Sequence, residues 1–475
     1  MTARRGAYGA IGLAMLVGLA LRLATARGGL WLDEAWSAYF VKQAATPLGV
    51  LWQINHDNNH FLNSWWMLLV GPYAPPMLVR ALSIATGVAS IGLAGAIGLR
   101  RGTATGVVAA LLVAVSPIMM AYGAEARGYG PMVTVMLVAI LVVDRWLDGE
   151  REAPVWPLAA LTLLGMLAQF TYIFALAALG GWIVATLSRR MTLDEAVRSG
   201  LRTLAPSIGA VVLVVAVVVA AAHASTAGFQ TGGYPGFTIP GFSGGLEDAV
   251  VHTFGLSLGS AFATIGVAAV ASAAAILLAP GMAGRRFLYA LAVLAFPAML
   301  ALALSRINNA GFARYYFLAC IGLVLLVAEL SGAAIARGGW RRAVAVVLLA
   351  VVVVASLSRD RALALALRGD PGRAVATMRM AAPAGTSVGV DTIRPTAVLE
   401  AAARTAGYSL DIRRDCPAAA FVFIDLEDHG AAPARLERCG QSYARIAVGR
   451  YFSMSGFDWS LYARTPPQSN GVSGH

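Results

Sequence analysis

Two adjacent carboxylates, Asp33 and Glu34, stand just beyond the first apolar run, in the stretch Arg27-Gly-Gly-Leu-Trp31-Leu-Asp33-Glu34-Ala-Trp36. A carboxylate against apolar, tryptophan-lined walls has its pKa raised and is suited to accept a proton. The same residues fit the start of a helix equally well, with Asp33 as cap, Glu34 favouring the dipole, and Trp31 and Trp36 as interfacial anchors. Further on comes a dense polar block, His56-Asp57-Asn58-Asn59-His60, running into the aromatic stretch Phe61–Trp66. On a helix His56 and His60 would share a face and could hold a metal together with Asp57. Asn58 and Asn59 favour a loop, so a contact to sugar hydroxyls or phosphate is the more economical functional reading. A solvated turn before an interfacial helix is the bland one.

Glu125 and Arg127 lie between two apolar runs, in Ser116-Pro117-Ile-Met-Met-Ala-Tyr122-Gly-Ala-Glu125-Ala-Arg127-Gly-Tyr129. Residues two apart do not share a helical face, so a turn or a broken helix is expected there. A local ion pair at a helix junction would account for both charges. Later, Arg306, Asn308 and Asn309 precede Arg314-Tyr315-Tyr316 at the opening of another apolar run. An arginine at that position can snorkel to phospholipid or clamp a phosphate with two parallel hydrogen bonds.

The elements that must carry these residues follow from composition. The chain has 475 residues, 58% hydrophobic and 13% charged, and a mean hydropathy of +0.70. Soluble domains are about a quarter charged, so lipid must be the solvent for much of this chain. The net charge of +12 comes almost wholly from arginine, Lys42 being the sole lysine. Those arginines gather at the ends of apolar runs, as orientation in a bilayer requires, and form no stripe interleaved with stacking aromatics, so no nucleic-acid partner is expected. The first run could pass for a signal peptide, but no convincing small-residue cleavage site follows, so it reads as a retained helix.

Apolar runs long enough to span, or nearly so, are Ala7–Ala26, Met77–Leu99, Thr103–Tyr122, Tyr129–Leu147, Val155–Leu187, Leu204–Ala222, His252–Leu278, Phe287–Leu304, Arg314–Ile335 and Ala343–Leu357. With Val155–Leu187 divided by a turn near Gln169–Tyr172, these give about eleven spans. Short arginine-rich loops alternate with longer, chemically odd ones. The positive-inside rule puts the N-terminus in the cytoplasm and the acidic pair and the tail outside. The expected fold is therefore all-α and polytopic over residues 1–357, with a small α/β extracytoplasmic domain at 358–465 and a disordered end at 466–475. The tail shows strand-like runs at Ser387–Val390, Ala420–Asp425, Tyr443–Val448 and Trp459–Ala463 and a helical pattern at Thr396–Ala406. Cys320 reads as inert packing, whereas Cys416 and Cys439 could pair as a disulfide if the tail lies outside.

Three landmarks now stand in order: Trp31-Leu-Asp33-Glu34-Ala; His60–Trp66 with Gly71 and Arg80–Ser83; and Ser116-Pro117 with Tyr-x-x-Glu-x-Arg-x-Tyr at Tyr122–Tyr129. With the weaker Arg314-Tyr315 match, they resemble the GT-C class of membrane glycosyltransferases, in the branch of protein O-mannosyltransferases, lipid A aminoarabinose transferase and rhizobial lipopolysaccharide sugar transferases. The resemblance covers roughly the first 330 residues. Relatives often carry a Pro-Pro pair in the polar block where this chain has Asn58-Asn59-His60-Phe61-Leu62, so no family role passes to His60 on that ground. The resemblance implies a bacterial plasma-membrane enzyme with a polyprenyl-phosphate sugar donor, a glycan, lipid or protein acceptor, and surrounding membrane lipids as partners. Asp33, with Glu34 or Glu125, becomes the candidate catalytic group. Arg127, Tyr129, His56, Asp57, His60, Arg314 and Tyr315 become candidates for substrate binding. No cofactor is required by the sequence, and a divalent metal is the one candidate. A flippase or polymerase of lipid-linked saccharides, or a secondary transporter, is the alternative. The transporter should show charges at mid-bilayer in two related halves, and no such repeat is visible.

Overall fold

The computed structural model describes residues 2–54, 60–225, 236–279, 282, 284–303, 308–414, 419–426 and 429–465. It is 71% helical with one small C-terminal sheet. Among the described residues seven helical segments are long and apolar enough to cross a membrane: Arg4–Thr25, Ala81–Leu99, Tyr129–Leu147, Leu193–Ala224, Ala261–Leu278, Ala313–Arg337 and Gly339–Gly369. Shorter apolar helices cover Phe61–Val70, Thr103–Val115, Val155–Ala168, Tyr172–Leu187 and Arg286–Ala301. Counting membrane-length helices thus gives seven, where the apolar runs read as about eleven. The chain divides into two compact units. One comprises Met1–Thr25, Ala44–Trp66 and Arg80–Arg361, the other Ala26–Gln43, Met67–Val79 and Ala362–His475.

In the first unit the apolar runs break for identifiable reasons. Thr103–Tyr122 is two helices, Thr103–Val115 and Pro117–Tyr122, because Pro117 has no N–H to return to the Val113 carbonyl. Arg22, fully buried on the first helix, supplies the missing donor. Its Nη2 lies 3.4 Å from Val113 O and 3.2 Å from Met119 O. His252–Leu278 is likewise divided. Ile239–Phe254 stops at Gly255, whose φ of +77° is left-handed, and Ala261–Leu278 restarts behind the Ser260 cap. His252 therefore lies outside the membrane-length helix. Where Val155–Leu187 was expected to turn, Val155–Ala168 and Tyr172–Leu187 are separated by three residues. Ser90, Thr86 and Thr134 link Ala81–Leu99 to Tyr129–Leu147, with Ser90 Oγ and Thr134 Oγ1 2.9 Å apart. Such hydroxyl bonds are a usual adhesive between helices in lipid.

In the second unit the strands are Thr386–Gly389 (β1), Leu410–Arg413 (β2), Phe421–Asp425 (β3), Arg435–Arg438 (β4), Gln441–Gly449 (β5) and Trp459–Arg464 (β6). Their order is β2-β1-β3-β6-β5-β4. β1 pairs in parallel with β2 and β3, and the remaining pairings are antiparallel. The Ile393–Thr405 helix makes the crossover that parallel strands require. Phe423 stacks on Phe457 and Trp459 at 10° and 20° between ring planes. β2 and β4 were not anticipated. Both are edge strands, Leu-Asp-Ile-Arg and Arg-Leu-Glu-Arg, whose charges guard the sheet and erase the apolar signal. Cys439 is disulfide-bonded and Cys320 is a buried free thiol. Cys416 lies outside the described residues, as does the stretch from residue 466.

Candidate functional site

In the first unit the second and third landmarks come together. The helix ending at Tyr122 gives way to a turn, and the next helix opens at Tyr129. Polar side chains grip that turn from outside. Asn63 Nδ2 donates to Ala126 O at 2.6 Å. Ser83 Oγ donates to Arg127 O at 2.9 Å. The Gly128 amide donates to His60 Nδ1 at 3.1 Å, and the Ala168 carbonyl stands 3.2 Å from the same nitrogen. The two contacts make opposite demands on Nδ1, which accepts from the Gly128 amide in one tautomer and donates to the Ala168 carbonyl in the other, with the remaining role falling to Nε2. That Nε2 is buried with no hydrogen-bond partner among the described residues.

The charge here is shut away from solvent. His60 and Glu125 are 0% exposed, Arg314 6% and Arg127 8%. Burial first, and then the positive field of Arg127 and the weaker one of Arg314, hold the His60 imidazole well below its ordinary value. The ring is neutral at physiological pH. The spacing of the Tyr-x-x-Glu-x-Arg-x-Tyr motif has a packing reason. Tyr122 and Tyr129 lie with ring centroids 5.1 Å apart, and both meet Phe317, at 5.3 and 5.6 Å. Phe317 opens the helix that follows the short 3₁₀ turn Ala313–Tyr316. On that turn the Arg314 guanidinium sits 4.3 Å over the Phe312 ring and 5.7 Å from the Tyr315 ring. Among the expected site residues, His60, Glu125, Arg127, Tyr129, Arg314 and Tyr315 thus belong to one unit, with Arg127 and Arg314 both acting on His60. His56, Asp57 and Arg306 lie outside the described residues.

Asp33 and Glu34 belong to the second unit. The Leu32–Ala44 helix begins with both carboxylates in its first turn. The Trp31 carbonyl accepts the first helical bond, from Ala35 N at 2.8 Å, so Trp31 holds the cap position that was expected of Asp33. Glu34, fully buried, accepts the Trp31 N–H at 3.2 Å, the reciprocal half of a capping box. Asp33 is only half-buried. The division of labour is clear: Glu34 fixes the helix start and Asp33 keeps an accessible side chain.

Unanticipated residues of the tail anchor this helix. Asp370 Oδ1 accepts the Gly29 N–H at 2.8 Å. A Cβ on Gly28, whose φ is +84°, would come within 2.9 Å of Leu367 O, which explains the glycine pair before Trp31. At the other end Lys42 Nζ lies 2.9 Å from Glu400, which also receives Arg404 Nε at 2.8 Å. Burial pushes the Glu400 carboxyl up, but Lys42 and Arg404 prevail and hold it below the ordinary value. Thr405 Oγ1 donates to Tyr73 O at 3.2 Å. None of this was readable from local sequence, because the partners are over 300 residues apart.

Among the described residues no group of three or more His, Cys, Asp or Glu is arranged to hold a metal. The chain matches no protein-family model, and no curated protein matches it.

Proposed function

We propose that this chain is a GT-C-type membrane glycosyltransferase that moves a sugar from a polyprenyl-phosphate donor to an acceptor hydroxyl on the outer face of a bacterial plasma membrane. In this reading four of the shorter apolar helices, all but the interfacial Phe61–Val70, join the seven long ones to give about eleven spans. The N-terminus is cytoplasmic and the tail extracytoplasmic, as the arginine-rich loops favour. The observation that carries the proposal is the Glu125–Tyr129 turn. A polytopic protein buries a carboxylate, and two guanidiniums that act on a neutral histidine, only at considerable cost, and such residues in a membrane protein mark a substrate site. The charges sit at helix ends, which favours surface chemistry over transport through the middle of the bilayer.

The roles follow from the chemistry. Asp33 takes the acceptor proton as the acceptor oxygen attacks the anomeric carbon, help that contributes typically 10²–10⁴-fold. The bond from that carbon to the phosphate oxygen breaks, and the electron pair leaves with the polyprenyl phosphate. Arg127 and Arg314 meet the charge on the departing phosphate, and Glu125 orients the acceptor. Glu34 supports Asp33 through the Trp31 amide. The extracted lipids of a deletion strain test the proposal: sugar-charged polyprenyl phosphate should accumulate while one envelope sugar disappears. An unchanged lipid and envelope-sugar profile would refute it.

A further inference from the structure

At the other end of the Tyr129–Leu147 helix lies a second feature. Nineteen helical residues put it about 28 Å from the Glu125–Tyr129 turn. Here a recess of about 130 Å³ opens between the C-terminal ends of Tyr129–Leu147 and Tyr172–Leu187, with Arg189, Arg190, Arg285, Asp144 and Asp148 in its lining. Its floor is built: Trp182 Nε1 and Thr186 Oγ1 both donate to the Gly284 carbonyl, at 2.8 and 3.2 Å.

The lining charges are unequally satisfied. Asp144 is bound by Arg100 at 2.5 Å and by Arg101; Asp148 by Arg100 at 2.7 Å and Arg101 at 3.5 Å. Arg285 is bidentate on Glu329, at 2.8 and 2.7 Å, and Tyr289 Oη donates to the same carboxylate at 2.6 Å. Arg189 and Arg190 are exposed and make no ion pair among the described residues. The acids of the recess are already neutralised by arginines outside it, and two guanidiniums remain. Helix C-termini repel anions, so any anion held here owes its binding to those side chains.

We infer that this recess binds a phosphate anion, either the headgroup phosphate of an acidic phospholipid or free phosphate. Guanidinium forks match phosphate oxygens, and a basic pocket between the ends of apolar helices stands at headgroup depth. The inference is independent of sugar transfer. Full-length protein, delipidated in neutral detergent, is titrated with phosphatidylglycerol, with phosphatidylcholine and with inorganic phosphate while its unfolding midpoint is followed. A lipid headgroup site gives a preference for phosphatidylglycerol over phosphatidylcholine; a soluble-anion site gives stabilisation by phosphate without that preference. In either case Arg189→Gln/Arg190→Gln should weaken binding roughly thirty-fold, the loss expected for two surface arginines. Arg341→Gln/Arg342→Gln, an exposed pair outside the recess, should leave it unchanged. The inference is overturned if neither ligand stabilises the wild type, if the Arg189/Arg190 variant binds normally, or if the control pair loses as much.

Discussion

Gly128 has room for nothing beyond its hydrogen. A Cβ there would lie 1.8 Å from Ala168 O and 2.8 Å from His60 Nδ1, so Gly128→Ala must push the turn off both His60 and the end of the Val155–Ala168 helix. We predict a loss of about 1–3 kcal/mol in stability, read as a lower unfolding midpoint, with a proportionately larger loss of transfer because Arg127 moves with its neighbour. A midpoint unchanged from wild type would contradict the placement of His60. At this scale the sequence singled out residues that the first unit brings together, without showing what joins them. His60 stood out as polar and Glu125–Arg127 as stranded charge, yet the Gly128–His60 bond that joins the two stretches spans 68 residues and leaves no local pattern. Asp33 and Glu34 could not be told apart by type. Only the Trp31 amide on Glu34 separates the helix-starting carboxylate from the accessible one.

The elements were legible wherever one physical term dominated. Long apolar runs became long helices, and alternating runs became β1, β3, β5 and β6. Apolarity alone could not register Pro117, Gly255 or the charged edge strands, where backbone chemistry overrides hydropathy. Placing His252 on Ile239–Phe254, outside the membrane-length helix, has a measurable result. Its Nδ1 faces Asp248 O at 2.8 Å, with Asp248 one turn back on the same helix and Arg359 from another part of the chain as the charged neighbours. Burial is the main cause and Arg359 assists in lowering the imidazole to about 4. A histidine depressed in the folded state takes up its proton on unfolding, so its contribution is complete above about pH 6.5 and is lost as pH falls toward 4. That contribution is roughly 3 kcal/mol. His60 adds a term of the same sign. The wild-type midpoint should therefore fall between pH 6.5 and 4, and His252→Gln should fall less steeply; equal slopes would contradict the assignment.

For the whole molecule, composition pointed to lipid as the solvent and the membrane-length apolar helices agree with it, but the partition of the chain was hidden. The second unit is not the tail alone. It takes in Ala26–Gln43 and Met67–Val79, held through Asp370, Glu400 and Thr405, so the helix bearing Asp33 folds with a domain encoded far downstream. Sequence order could not show that, because the joining bonds are single side-chain contacts over long separations. Asp370 of the tail holds the Gly29 amide a few residues ahead of the acidic pair, a contact the motifs did not suggest. The central claim is that Asp33 is the base of a polyprenyl-phosphate-dependent glycosyl transfer. The most direct measurement compares purified wild type with Asp33→Asn, reconstituted with a polyprenyl-phosphate sugar and an extracted envelope acceptor. The account predicts transfer by the wild type and at least a hundred-fold slower transfer by a variant with an unchanged unfolding midpoint. Undiminished transfer by Asp33→Asn would contradict it.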